Sequence, residues 1–162
     1  MAVVKQTEND NFTSFLKTLD SKAVDDMVHQ LNETISALID CTNCGNCCKT
    51  LMINVTDGEA NTIAGYLHQT RKKFDEQYVE KGVNGMMIMN KMPCHFLNEN
   101  KCTVYENRFS GCREFPAMHL PDFQERLFTT FMHYDRCPII FNVVEQLKNQ
   151  LAFSYHNAEV GT

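Results

Sequence analysis

Four thiols fall within eight residues, Cys41, Cys44, Cys47 and Cys48, in the stretch Cys41-Thr42-Asn43-Cys44-Gly45-Asn46-Cys47-Cys48. Packing does not require them, because Leu or Val fills a core as well, so their spacing points to chemistry. A C-x2-C-x2-C run on a tight loop wraps three corners of a [4Fe–4S] cube, and the fourth ligand then comes from far along the chain, often from a Cys-Pro pair. Cys137-Pro138 has that form. The same sulfurs could close a tetrahedral zinc site, so spacing alone leaves an iron–sulfur cluster and zinc both open. The distant Cys-Pro, and the lack of a second C-x2-C pair, tilt the reading toward iron–sulfur.

Cys48 stands apart, since adjacent cysteines tend to point their side chains in different directions. The chain has eight cysteines, which divide into two sets of four. Cys48 with Cys94, Cys102 and Cys112 is one such partition, and a single site with a reactive pair, or a shared zinc–thiolate cluster, are others. All eight are candidate metal ligands: Cys41, Cys44, Cys47, Cys48, Cys94, Cys102, Cys112 and Cys137. His95 and His133 flank cysteines and offer nitrogen, although a lone histidine in a polar segment is more often a surface residue. Four thiolates around a divalent ion leave a charge of about −2 for neighbouring cations to offset. Lys49, Lys101, Arg108, Arg113 and Arg136 each lie within four residues of a cysteine. Met86, Met87, Met89 and Met92 read as filler of an irregular core rather than as copper(I) ligands.

Composition narrows the function classes. A net charge of −5 over 162 residues disfavours nucleic acid as the partner, because phosphate binding draws its affinity from Lys and Arg. Residues 1–10 lack the apolar run of a signal peptide, and no apolar stretch approaches the ~20 residues of a membrane helix, so a cytoplasmic protein without a membrane span is expected. Thiols in that compartment stay reduced, which favours a metal ion as partner over four disulfides. No paired carboxylates, phosphate loop, H-E-x-x-H or G-x-S-x-G accompany the thiols, so the residues carry no independent evidence for catalysis.

The elements that must position the thiols read as follows. Phe12, Phe15, Leu16 and Leu19, then Val24, Met27, Val28, Leu31, Ile35, Leu38 and Ile39, recur at the helical period. Asp20 and Ser21 form the break, and Asp25 and Asp26 are expected in the first turn of a second helix that runs to Asp40. Residues 51–55 read as a strand, and Thr56-Asp57-Gly58-Glu59 as a capping box opening a helix with Ile63, Ala64 and Leu67 on one face. A further amphipathic piece runs through Phe74, Tyr78 and Val79 to Gly82, and Arg71-Lys72-Lys73, between these helices, is expected as a solvated helix end favouring the macrodipole. Extended pieces are expected at 86–89, 95–97, 102–105 and 127–134, separated by turn residues, before a last helix over 139–151.

In its cysteines the sequence resembles the CxxCxxCC cysteine-cluster family, the YkgJ-like proteins described as zinc- or iron-chelating. Cys41 to Cys48 has the form C-x2-C-G-x-C-C. Pro93-Cys94-His95-Phe96-Leu97, Cys102-Thr103-Val104-Tyr105-Glu106, Arg108 and Cys112-Arg113-Glu114-Phe115-Pro116 then look like the family's P-C-x-F-L, C-x-I-Y-E, R-P and C-R-x-F-P elements in order. Cys137-Pro138 is similar to the C-P near the end of many members. The family's R-P reads Arg108-Phe109 here, which alters loop shape but removes no ligand. The cluster is also similar to that of flagellin lysine methylase, a longer protein, which implies an iron–sulfur enzyme with redox or radical chemistry as an alternative. Metal storage or delivery is another.

The expected fold is α+β and predominantly helical: an N-terminal helical hairpin packed on an irregular, metal-held, cysteine-rich region with short strands, and a C-terminal helix. One domain is expected over 1–162, with the hairpin at 1–40, the cysteine-cluster region at 41–138 and the last helix at 139–154.

Overall fold

The computed structural model describes residues 2–155, and the side chains from residue 5 onward. The described residues form two compact units, one built from 2–39 with 116–155 and the other from 40–115. It is predominantly helical with short antiparallel strands, as the sequence leads one to expect.

Helix α1 spans Ala2–Leu16 and α2 spans Ser21–Ser36. Asp20 caps α2 by accepting from the Ala23 N–H at 2.9 Å, so the break lies where the sequence places it. Val24, Val28, Leu31 and Ile35 are buried in one stripe. The helix stops at Ser36 rather than Asp40, and Leu38, expected on that stripe, is therefore out of register and 82% exposed. Asp25 also departs from expectation. It lies in the second turn, is buried, and accepts from the Asp122 and Phe123 N–H groups at 2.8 Å each. Its carboxylate caps a 3-10 turn over Phe123–Arg126 instead of its own helix.

In the cysteine-rich unit, α3 (Cys41–Cys44) and α4 (Asn46–Thr50) flank Gly45. Strand β1 (Asn54–Val55) leads to α5 (Asp57–Tyr66), which Thr56 and Glu59 open with a complete capping box. Ile63 and Ala64 on α5 are buried as expected. Helix α6 (Arg71–Tyr78) is capped by Thr70, and this corrects the reading of the basic run. Arg71, Lys72 and Lys73 occupy the first turn, the positive end of the dipole, where Arg71 and Lys72 pair with acidic side chains instead. Arg71 Nε and Nη2 donate to Asp75 and Asp57 at 2.7 Å each.

Strand β2 (Val79–Lys81) pairs antiparallel with β3 (Met87–Met89), which pairs on its other side with β1; the register sets Val79 against Met89 and Val55 against Met87. Met87 and Met89 are core side chains of this sheet, whereas Met86 and Met92 are exposed. Strands β4 (Leu97–Asn98) and β5 (Lys101–Cys102) form a hairpin whose two-residue loop, Glu99 and Asn100, takes φ of 47° and 66°. Two left-handed residues in succession match the right-handed twist of the strands. A 3-10 turn at Tyr105–Asn107 replaces the end of the extended piece expected at 102–105, and α7 (Ser110–Glu114) closes the unit. The core holds Val55, Ile63, Phe74, Phe96, Val104 and Phe109, with Cys94, Cys102 and Cys112 packed against it.

The helical unit resumes with α8 (Leu127–Met132), where an extended piece was expected. The run Leu-Phe-Thr-Thr-Phe has strand propensity, but Leu127 and Thr130 are buried at i and i+3, and that packing decides for the helix. Helix α9 (Pro138–Gln150) starts on Pro138 and packs with α2 through Ile140, Val143, Val144 and Leu147. Lys148 is 4% exposed. Its ammonium donates to Glu8 at 2.8 Å, Asn9 at 2.6 Å and Glu145 at 2.7 Å, which ties α1 to α9.

Candidate metal centre

The knot is shaped by residues between the thiols. Asp40 caps α3 by accepting from the Thr42 N–H at 2.9 Å and from the Thr42 hydroxyl and Asn43 amide, and these donors, Thr42 foremost, hold its carboxyl below the usual range. Gly45 then turns the chain with φ of +62°, so two short helices follow each other and Cys41, Cys44, Cys47 and Cys48 curl round one turn. A Cβ on Gly45 would meet the Asn100 carbonyl oxygen at 2.9 Å and the Asn100 Cα at 3.1 Å. The glycine is required twice over, by its left-handed backbone and by the hairpin loop that presses on it.

That contact brings the β4–β5 hairpin, and with it Cys102, against α3. Cys94 joins the knot through its N–H, which donates to the Cys48 carbonyl at 2.7 Å. Cys112 comes in on α7, whose first N–H, on Ser110, donates to the Glu59 carboxylate of the capping box. One carboxylate thus organises the starts of both α5 and α7. Burial tends to raise the Glu59 carboxyl, but the Ser110 and Thr56 donors outweigh it and hold it at about 2.

Seven of the eight cysteines therefore lie in the 40–115 unit, and Cys137 lies in the helical unit, buried, with its N–H donating to the His133 carbonyl at 3.0 Å. Cys41 is exposed and the other six are half-buried. Several of these thiols lie close enough to shift one another's titration. Burial pushes the Cys112 thiol up to about 12, with Cys94, Cys47 and Cys102 adding to the rise. Cys41, Cys94 and Cys102 are raised as well, each mainly by burial and further by neighbouring thiols. Cys47 is the exception: the Cys48 thiol donates to it and, against burial, holds it at about 6, and the same bond pushes Cys48 upward.

Of the five cations near cysteines in the sequence, Arg108 is singled out, since its charge eases the thiolate forms of Cys41, Cys47, Cys102 and Cys112. Its guanidinium lies 3.8 Å from the Tyr105 ring centroid and donates to the Tyr105 carbonyl at 2.9 Å. The Arg113 side chain in turn donates to the Arg108 carbonyl. Sequence proximity alone did not separate Arg108 from the other four. Cys47, Cys48, Cys94 and Cys112 also share a cavity of about 20 Å³ with Lys91 and the apolar Leu51, Ile53, Met89 and Phe115. It has room for one ion or one water-sized group.

Among the described residues no three or more Cys, His, Asp or Glu side chains close on a common point as a finished coordination shell. The donor set nevertheless suits a soft or borderline metal, because the repulsion between crowded, half-buried thiolates is offset once a cation takes the place of their protons. The histidines are placed differently. His95 pairs with the Asn90 side-chain oxygen at 2.7 Å and stands edge-on to Tyr78. His133 belongs to the helical unit and is 9% exposed, a core position rather than the expected surface one.

A family model with the description "CxxCxxCC: Putative zinc- or iron-chelating domain" matches residues 40–138. No curated protein and no solved structure matches the chain.

Proposed function

The chain belongs to the CxxCxxCC family of zinc- or iron-chelating domains, and on that premise we propose that its cysteines hold an iron–sulfur cluster or zinc through thiolates. The observation that carries the reading is the gathering of seven cysteines in one unit, where burial and neighbouring thiols raise Cys41, Cys94, Cys102 and Cys112 and Arg108 eases the thiolate forms of Cys41, Cys47, Cys102 and Cys112. The donors are Cys41, Cys44, Cys47, Cys48, Cys94, Cys102 and Cys112 of that unit, and Cys137 of the Cys-Pro pair is the eighth candidate that the sequence offers. An iron–sulfur cluster is placed ahead of zinc because the C-x2-C-x2-C run around Gly45 has the form that wraps a cube. When bound, such a group supplies redox chemistry or, as zinc, a rigid cross-link. The chain's own residues set its surroundings: Gly45 fixes the turn, Glu59 fixes α7, and Arg108 offsets negative charge.

Exposure of Cys41 favours a second reading, metal delivery, in which an accessible thiol starts ligand exchange. Anaerobic purification from iron-replete cells, elemental analysis and a visible spectrum test both. A brown protein with broad absorption near ~400 nm that bleaches on reduction supports the cluster, and a colourless protein with stoichiometric zinc overturns that choice. Cys44→Ser and Cys47→Ser are each expected to lower bound metal sharply, since a hydroxyl is a poor replacement for a thiolate. Unchanged metal in both variants would refute thiolate binding at the knot.

A further inference from the structure

The helical unit carries a groove of about 1090 Å³ that the cysteine chemistry does not use. Its walls come from α1, from α8 with the turns on either side of it, and from Phe141 of α9. The volume exceeds the ~300–1000 Å³ of small-molecule clefts, which fits a chain segment better than a metabolite. One wall is apolar and unpartnered: Phe128 is 84% exposed, Met132 49% and Phe141 41%. Phe128 and Met132 stand at i and i+4 on α8, the spacing at which one helix presents a continuous edge to another. Phe141 continues that edge through Tyr134, whose ring lies 5.1 Å from it. Exposed large side chains gathered on one groove mark a contact surface, whereas scattered ones do not.

The charges in the lining select the partner. Asp10, Glu125 and Asp135 line the groove, and neither lining cation, Lys5 or Lys17, forms a salt bridge with them. Of the two lining cations, Lys5 is committed to Glu145 at 2.8 Å and Glu8 at 3.3 Å, which leaves Lys17 against three carboxylates. An acidic rim repels phosphate, so nucleic acid and anionic lipid are disfavoured. A second copy, with its own net charge of −5, would bring like charges together.

We infer that this groove receives a basic amphipathic helix of a partner protein, with apolar residues against Phe128, Met132 and Phe141 and lysines or arginines toward Asp10, Glu125 and Asp135. The mode is a helix laid between two helices, with apolar anchors for affinity and charge for choice of partner. The groove lies wholly within the helical unit, so the inference stands or falls independently of which metal the thiols hold.

The test uses the full chain and two synthetic helical peptides that share a leucine face and carry either lysines or glutamates on the other. Fluorescence anisotropy is expected to show micromolar binding of the lysine peptide and none of the glutamate peptide. Phe128→Ser combined with Met132→Ser is expected to weaken binding at least about tenfold. Because both side chains are exposed, the far-UV circular dichroism of that variant should match the parent. Asp10→Asn, Glu125→Gln and Asp135→Asn together are expected to flatten the salt dependence. Failure of the lysine peptide to bind, equal binding of both peptides, or binding untouched by the double variant would overturn the inference. So would a dimer in sedimentation that the double variant dissociates, which would make a second copy the occupant.

Discussion

The two units hold themselves together by different means. In the helical unit, α1, α2 and α9 run 13 to 16 residues, present apolar stripes, and satisfy the buried ammonium of Lys148 with three acceptors. In the cysteine-rich unit no helix exceeds 10 residues, the strands are two or three residues long, and the turns depend on left-handed residues at Gly45, Glu99 and Asn100. Helices and hairpins of that length are marginal alone. The first unit is specified by periodicity and the second by turn chemistry and thiols, so a cross-link through the thiols matters to the second far more than to the first.

Metal removal should therefore break the molecule unevenly, and this is the largest effect expected. Structural zinc contributes roughly 10 kcal/mol to the folding of small domains, more than the whole stability of many. Chelated protein is expected to lose amide hydrogen-exchange protection over 40–115 and to keep it in α1, α2 and α9. Uniform loss along the chain would abolish the contrast. Lys148→Ala should produce the opposite pattern. Removing the buried ammonium takes a donor from Glu8, Asn9 and Glu145 and leaves the two carboxylates to Lys5 alone, a change that costs about 1–3 kcal/mol. The expected result is a lower unfolding midpoint for the helical unit with the metal content of the purified protein unchanged.

What the sequence made legible follows the same divide. The hairpin break at Asp20, the last helix and the Thr56–Glu59 capping box are local signals, and each lies where it was read. Asp25 was read as a helix-dipole residue, because nothing local shows that its carboxylate caps a turn almost a hundred residues away. Residues 127–134 were read as extended because strand propensity is local, whereas the burial that makes them helical is tertiary. At the candidate site the cysteines announced themselves by spacing. The supports did not: Gly45 could be read as a turn, but the Asn100 backbone that forbids a side chain there is visible only in the fold.

Gly45→Ala sharpens that last point at intermediate cost. A non-glycine residue held at φ +62° costs on the order of 1–3 kcal/mol, and the 2.9 Å approach to the Asn100 oxygen adds to it. The cost should fall on the cysteine-rich unit alone. Reduced metal content and faster amide exchange around residues 41–48 and 97–102 are expected, with α9 unaffected. A variant with the parent's metal content and exchange rates would mean that the hairpin does not brace the knot.

Acid separates the units by pH, and here the effect expected is smallest. Burial works to raise the Glu145 carboxyl, but Lys148, Lys5 and the Tyr134 hydroxyl outweigh it and hold it at about 2. Glu8, which shares both lysines, is likewise lowered: burial opposes the shift, and Lys148 and then Lys5 overcome it. A carboxyl held below its unfolded value of 4.5 stabilises the fold fully above that pH, and the contribution fades as pH falls through the folded value of about 2. The helical unit should therefore weaken between about pH 4.5 and 2, whereas the cysteine-rich unit should release its metal earlier, as protons reclaim the thiolates. Two steps are expected in an acid titration followed by metal release and by helical circular dichroism. Glu145→Gln keeps an oxygen for Lys148 and Tyr134 but removes the titration, so it should flatten the pH dependence of the second step and leave the first in place. If the variant shifted the metal-release step, or left the second as steep as before, the acid sensitivity of the helical unit would lie outside this ion cluster.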